Sequence, residues 1–200
     1  MKEQLSKEAV AQRVVAGMDA DEAPKKFRRV SKKQRTRTSK HTIVAEIVTT
    51  GERRVDRVID YLGGPGVIVH EIASAMDAHR VIAKGLPKQA VTHLLKNLTI
   101  FHEKDVLSGA LGMSARTQQR LSKAEPDKAL SVEVSSRTWQ FAEVLAQASE
   151  VLGTQEAAEM WLETPALALG YEKPIDLLST QPGNELVKTL LTRIEYGVYS

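Results

Sequence analysis

The side chains best suited to chemistry in this 200-residue chain are hydrogen-bond donors that follow a tight glycine turn at Gly112. The sequence from Val106 to Leu121 predicts a helix, a turn and a second helix capped by Ser114. The second helix would expose six polar residues: Ser114, Arg116, Thr117, Gln119, Arg120 and Lys123. Such groups can donate to phosphates and to base edges in a major groove. The pattern therefore predicts a DNA-binding helix-turn-helix, with the solvated face of an ordinary helical hairpin as the alternative.

The residues around this turn mostly fit the same interpretation. Three small residues would let two helices approach closely: Ser108, Gly109 and Ala110. Four apolar residues fall where a helix-turn-helix buries its core side: Leu107, Leu111, Met113 and Leu121. Gln118 departs from the pattern, because a helix-turn-helix usually has an apolar residue there, facing the first helix. The unit therefore either packs loosely at Gln118 or has a different geometry.

Other chemistries lack the residues that they require. The absence of cysteine excludes disulfides, iron–sulfur clusters, thiolate zinc sites and cysteine nucleophiles. The cluster Gly63–Gly66 lacks the Lys-Ser/Thr pair of a phosphate-binding loop and is predicted to be a turn, and the five histidines lack metal-site spacing. The carboxylates do not fall beside a nucleophile or base in a recognisable arrangement. We therefore predict no catalytic residue, no metal ligand and no cofactor, and expect that the protein is not an enzyme.

Charge is distributed unevenly along the chain, although the formal net charge is only +3. Lys25–Lys40 contains nine basic and no acidic residues. Repulsion between these like charges predicts a disordered or extended arm. The arm could track a DNA backbone or act as a solubilising tail. Lys84–Lys123 has seven basic and two acidic residues (+5), whereas Ala124–Ser200 has five basic and twelve acidic residues (−7). The asymmetry suggests two binding functions, one for a polyanion and one for something else.

The C-terminal segment is unusually apolar, since chain ends normally fray into polar residues. Its residues are Arg193, Ile194, Glu195, Tyr196, Gly197, Val198, Tyr199 and Ser200. They complete or follow a helix predicted over Asn184–Tyr196 that has one apolar face. A tail of this composition would either fold back on its own domain or dock into a partner.

These groups must be positioned by helices, because apolar residues recur at helical spacing and no segment sustains a period of two. We predict an all-α fold, with a helix-turn-helix-like domain followed by a smaller helical domain. The expected organisation is the basic arm over 1–41, the first domain over 42–124 and the acidic domain over 125–200. We also predict a connector over Glu125–Ser136, a helical stripe from Phe141 to Leu152 that ends at Gly153, and a break at Gln181–Gly183. Trp139 and Trp161 are expected in the core, or else at an interface.

Membrane insertion is not expected. No apolar run approaches the ~20 residues that cross a bilayer, and the N-terminus lacks the apolar stretch of a secretory signal. We therefore expect a cytoplasmic protein that makes no membrane contact.

Several motifs taken together resemble a known family, the antitoxins of the MbcA/ParS/Xre type, which are partners of RES-domain toxins. The resemblance runs from about Val58 to the C-terminus, and Met1–Thr50 lies outside it. The motifs that carry it are Gly85–Pro87, Leu111–Thr117, Trp161–Gly170, Pro174–Leu178 and Arg193–Tyr199. The tryptophan-to-leucine-glycine motif and the RIEYGVY ending are specific in combination.

The resemblance implies a dimeric protein with a helix-turn-helix-like domain followed by a C-terminal toxin-binding domain. The toxin would resemble ADP-ribosyltransferases and consume NAD, and the antitoxin would cover the entrance to its active site. The toxin–antitoxin complex would repress its own operon. On this chain the resemblance makes Arg193–Ser200 the candidates for occluding the toxin and Ser114–Lys123 the candidates for contact with operator DNA.

A second hypothesis also accounts for the residues. The chain could be a stand-alone dimeric helix-turn-helix regulator of transcription, whose acidic domain dimerises or senses a ligand. The two hypotheses differ in whether the essential partner is a toxin or DNA alone.

Overall fold

The computed structural model describes residues 53–98 and 110–197, which are helical throughout apart from turns and two isolated bridges. The predicted basic arm, and most of the helix predicted between Val106 and the turn at Gly112, lie outside the described residues. The described helices are α1 (53–61), α2 (Ala75–Lys84), α3 (Lys88–Asn97), α4 (Ala115–Ser122), α5 (Val132–Leu152), α6 (Gln155–Glu163), α7 (Pro174–Leu177) and α8 (Gln181–Glu195), with a 3-10 turn at Leu167–Leu169. The all-α prediction is confirmed.

Helix α5 forms the centre of the molecule and packs against α2, α6 and α8. It ends at Gly153 as predicted, and the stripe that includes Phe141 and Leu145 is buried. A fully buried side chain of this kind contributes about 1.5 to 3 kcal/mol. The connector predicted over Glu125–Ser136 is wrong in its second half, because α5 already begins at Val132. The Ser131 hydroxyl caps this earlier start by accepting a hydrogen bond from the Val134 amide.

Helix α1 contributes Val58 and Leu62 to the core and then ends in a glycine turn. The Gly64 amide donates to the Ile59 carbonyl over 2.8 Å, and the Gly63 amide donates to the Asp60 carbonyl over 3.1 Å. These bonds form a Schellman motif, in which Gly63 has a left-handed φ of +106°. The turn predicted at Gly63–Gly66 is therefore confirmed.

The predicted break at Gln181–Gly183 is wrong, because these residues form the first turn of α8. The Thr180 hydroxyl caps the helix by accepting from the Gly183 amide over 3.2 Å. Pro182 is tolerated here, since the first turn of a helix has no intrahelical partner for its amides.

The segment before α5 is paired with the start of α3. The Leu130 amide donates to the Leu86 carbonyl over 2.8 Å, and the Lys88 amide donates to the Lys128 carbonyl over 2.9 Å. The Leu86 amide in turn donates to the Ser135 hydroxyl of α5. The buried apolar residues of the helices form a single core cluster. Within the described ranges, no helix combines the length and apolarity needed to cross a membrane.

Candidate functional site

The first candidate surface is α4, which follows the glycine turn at Gly112. The Ser114 hydroxyl accepts from the Thr117 amide over 3.2 Å, and its oxygen lies 3.0 Å from the Thr117 hydroxyl oxygen. Ser114 therefore caps α4, as its position in the sequence predicts. The Ser114 and Thr117 hydroxyls contact each other, so each already uses part of its hydrogen-bonding capacity on the other.

Most of the predicted DNA-contacting residues are on the surface. Thr117 is half-buried, and the exposed ones are Ser114, Arg116, Gln119, Arg120 and Lys123. Arg116 and Arg120 are four residues apart, which places both guanidinium groups on one face of the helix. The side chains of Gln118 and Leu121 are outside the described set, so the packing question raised by Gln118 stays open.

The turn before α4 is held by α5. Leu111 and Met113 are buried on either side of Gly112, which has a left-handed φ of +64°. A Cβ atom added at Gly112 would overlap the Arg137 guanidinium. Arg137 also forms an ion pair with Glu133 one turn earlier in α5, over 3.1 Å. The sequence gives no signal for Arg137, because it lies 25 residues beyond the turn that it covers.

The second candidate surface is the end of α8. Arg193, Glu195, Tyr196 and Gly197 are exposed, and the Tyr196 side chain keeps 67% of its surface open to solvent. Ile194 differs, since it is 7% exposed and packs in the core. The Tyr196 amide donates to the Thr192 carbonyl and the Gly197 amide to the Ile194 carbonyl, both over 3.1 Å. The predicted contacts Val198, Tyr199 and Ser200 lie outside the described residues.

An ion pair that sequence reasoning did not predict joins α1 to this surface. The Arg54 Nε donates to Glu150 Oε2 over 3.0 Å, and Arg54 Nη2 lies 3.4 Å from Glu195 Oε1. Each of the three side chains keeps about a quarter of its surface exposed. Arg54 and Glu195 are 141 residues apart in the chain, so no local pattern indicates the contact.

A second set of polar contacts holds α8 on α5. Lys188 Nζ donates to Glu143 Oε2 over 2.5 Å, and Gln147 Nε2 donates to the Thr192 hydroxyl over 3.0 Å. Glu143 also accepts from the Trp139 indole over 2.8 Å. These bonds fix the axis of α8 and therefore the direction in which its C-terminal turn points.

The remaining candidates agree with the core interpretation. Trp139 and Trp161 are buried, as the first of the two alternatives predicts. Trp161 Nε1 has no hydrogen-bond partner among the described residues. In the same ranges, no group of three or more histidine, aspartate and glutamate residues is arranged to hold a metal ion.

Comparison with known proteins gives both surfaces a family context. The antitoxin Xre-like helix-turn-helix domain matches residues 77–143, and the antitoxin Xre/MbcA/ParS C-terminal toxin-binding domain matches residues 147–197. A Prs ADP-ribosylating antitoxin of Sphingobium sp. (strain YBL2) is 30% identical over 138 residues, covering 64% of this chain and 84% of the relative. An antitoxin Xre of Pseudomonas putida is 32% identical, covering 64% of this chain and 77% of the relative. An antitoxin Xre of Photorhabdus laumondii is 28% identical, with coverages of 64% and 84%.

A helix-turn-helix domain followed by a toxin-binding domain defines the class of protein. The chain belongs to the Xre/MbcA/ParS family of antitoxins, which confirms the resemblance inferred from its motifs.

Proposed function

We propose that this chain is the antitoxin of a type II toxin–antitoxin system whose toxin is a RES-domain protein that consumes NAD. In this proposal the C-terminal segment Arg193–Ser200 covers the entrance to the toxin's active site, and the complex represses its own operon through α4. The chain acts as a dimer and has a regulatory rather than an enzymatic role. The observation that carries the proposal is the match of a helix-turn-helix model and a toxin-binding model, in that order, over residues 77–197.

The geometry of α8 supports the role of the tail. Arg193, Tyr196 and Gly197 are exposed at the point where the chain leaves the core. Burying an aromatic side chain such as Tyr196 in a partner's pocket is a common source of binding energy. Ile194 contributes by anchoring the last turn to the core rather than by contacting the toxin. A pocket that handles an anionic dinucleotide is expected to be basic, which complements the −7 charge of Ala124–Ser200.

The exposed face of α4 supports the role in repression. Arg116 and Arg120 can contact phosphates or guanine edges, and Lys123 extends the same basic surface. Because α4 and the end of α8 are different surfaces, DNA binding and toxin binding can be separated by substitution.

A growth assay with two variants tests the proposal. A candidate cognate RES-domain toxin is expressed with the full chain, with a chain truncated after Glu195, and with the Arg116→Ala/Arg120→Ala variant. The truncation should release toxicity while leaving the fold largely intact, which circular dichroism checks. The arginine variant should lose repression while still protecting the cells.

Two outcomes contradict the proposal. Full protection by the truncated chain would refute the occlusion of the toxin by the tail. Loss of all function in the arginine variant, with no toxin that the chain neutralises, would instead favour the stand-alone regulator.

A further inference from the structure

Helix α1 lies at the end of the molecule where the tail leaves α8. The contact is made by the Arg54 guanidinium, which lies between Glu150 near the end of α5 and Glu195 at the end of α8. α5 ends at Leu152 without a basic residue in its last turn. Arg54 therefore places a positive charge close to the C-terminal ends of two helices, where the backbone carbonyls carry partial negative charge.

The register of α1 fixes this guanidinium in place. Arg54, Val58 and Tyr61 are spaced by four and three residues and lie on one face of the helix. Val58 is 1% exposed, and the Tyr61 hydroxyl lies 2.9 Å from the Ser149 hydroxyl of α5. The core contact and this hydrogen bond anchor α1 along the last turns of α5, so Arg54 reaches Glu195 from a rigid support.

Loss of Arg54 would change the electrostatic interactions around the last turn of α8. Glu150 and Glu195 both lie within 3.5 Å of one guanidinium and would lose the positive charge that lies between them. Repulsion between the carboxylates, added to the negative helix ends, would favour fraying of the turn that contains Tyr196 and Gly197. That turn lies within the proposed toxin-binding segment, Arg193–Ser200.

We propose that Arg54 is a positioning residue for toxin binding, which acts by holding the end of α8 so that the tail leaves in one direction. The inference rests on the proposed role of the tail. α1 precedes both matched family models, which begin at residues 77 and 147, so neither of them assigns this role. Arg54 acts through Glu195 and the backbone of the last turn, with no contact of its own to the toxin.

Hydrogen exchange in the full chain tests the positioning without the toxin. We compare Arg54→Met with Arg57→Met, a matched control that removes an exposed arginine from the same helix. In Arg54→Met, the amides of Tyr196 and Gly197 should exchange roughly 1.5- to 5-fold faster, the range expected for loss of a partly exposed ion pair. The amides of Val187 and Leu191 should be unchanged. Unchanged exchange at Tyr196 and Gly197, or equal acceleration at all four amides, would overturn the inference.

A double-mutant cycle tests the link to toxin binding. The dissociation constant for a catalytically inactive form of the candidate RES-domain toxin is measured with the full chain, with Arg54→Met, with the chain truncated after Glu195, and with both changes combined. Arg54→Met should raise the dissociation constant roughly 1.5- to 5-fold in the full chain. It should have no effect in the truncated chain, and Arg57→Met should have no effect in either.

The contradictory outcomes of the cycle are distinguishable. If truncation weakens binding and Arg54→Met does not, the positioning role is wrong and the proposed function stands. If Arg54→Met weakens binding equally with and without the tail, Arg54 does not act through the tail and the inference fails. If truncation leaves the affinity unchanged, the proposed role of the tail fails and the inference fails with it.

Discussion

Gly112 separates two buried residues, Leu111 and Met113, and turns the chain into α4. Residues other than glycine rarely adopt its backbone φ of +64°, and the Arg137 guanidinium occupies the space where a Cβ would lie. The sequence predicts the turn, because a glycine between two apolar residues before a capping serine is a strong local signal. It does not predict Arg137, since that contact depends on how α5 packs.

Substitution of Gly112 by alanine should therefore cost more than backbone strain alone. Gly64 is the matched control, because it has a similar φ of +73° and open space around its Cα. We expect Gly64→Ala to lower the free energy of unfolding by about 1 kcal/mol. Gly112→Ala should cost roughly 0.5 to 1 kcal/mol more, because Arg137 must move and loses its contact with Glu133.

Urea denaturation measures both effects. In an Arg137→Ala background the extra cost of Gly112→Ala should disappear, because the overlapping guanidinium is gone. Equal costs for Gly112→Ala and Gly64→Ala in the wild-type background would contradict this account of the turn.

At the scale of elements, the docking of α1 onto α5 is the contact that periodicity does not indicate. Val55, Val58, Ile59 and Leu62 recur at helical spacing after the interruption at Gly51, but this spacing leaves the partner of the helix undetermined. In the structure the partner is the end of α5, through Tyr61 and Ser149. The Ser149 hydroxyl donates to the Leu145 carbonyl over 2.8 Å, so the Tyr61 hydroxyl is the donor to Ser149.

This contact predicts a dependence of stability on alkaline pH. Burial raises the pKa of Tyr61 above its ordinary value of 10.0. Because the folded state binds this proton more tightly than the unfolded state, its stabilising effect is complete below pH 10. The effect is lost as the pH rises through the raised folded pKa.

Tyr61→Phe should lose about 0.5 to 1.5 kcal/mol at pH 7, the value of one hydrogen bond. Above pH 10, its free energy of unfolding should fall less steeply than that of the wild type. The measurement is urea denaturation of both proteins at a series of pH values. Lysines titrate in the same range. Both proteins contain the same lysines, so the difference between their pH dependences reports Tyr61. Parallel pH dependences for the two proteins would refute the assignment.

For the whole molecule, the sequence predicts the fold class, the order of the helices from α3 onwards and the family. These follow from local signals: helical periodicity, glycine stops and motifs such as Trp161–Gly170. The errors occur where local signals compete, as at Gln181–Gly183, which has breaker residues but begins α8 because Thr180 caps it. The link from Arg54 to Glu195 could not be predicted, because it joins residues 141 positions apart that meet only in the fold.

The uneven charge of the chain has a structural counterpart. Arg116 and Arg120 lie exposed on α4, within the +5 segment, while the end of α8 belongs to the −7 segment. The proposed functions use these two surfaces separately, one for DNA and the other for the toxin.

The most direct test of the central claim is NAD consumption by the proposed RES-domain toxin, measured while the antitoxin is titrated into the reaction. The full chain should stop NAD consumption at stoichiometric amounts. The inhibition constant of the chain truncated after Glu195 should be at least roughly 30-fold higher, because loss of a buried aromatic contact costs about 2 kcal/mol or more. Equal inhibition by the truncated and full chains, with both correctly folded, would contradict the occlusion of the toxin by the C-terminal segment.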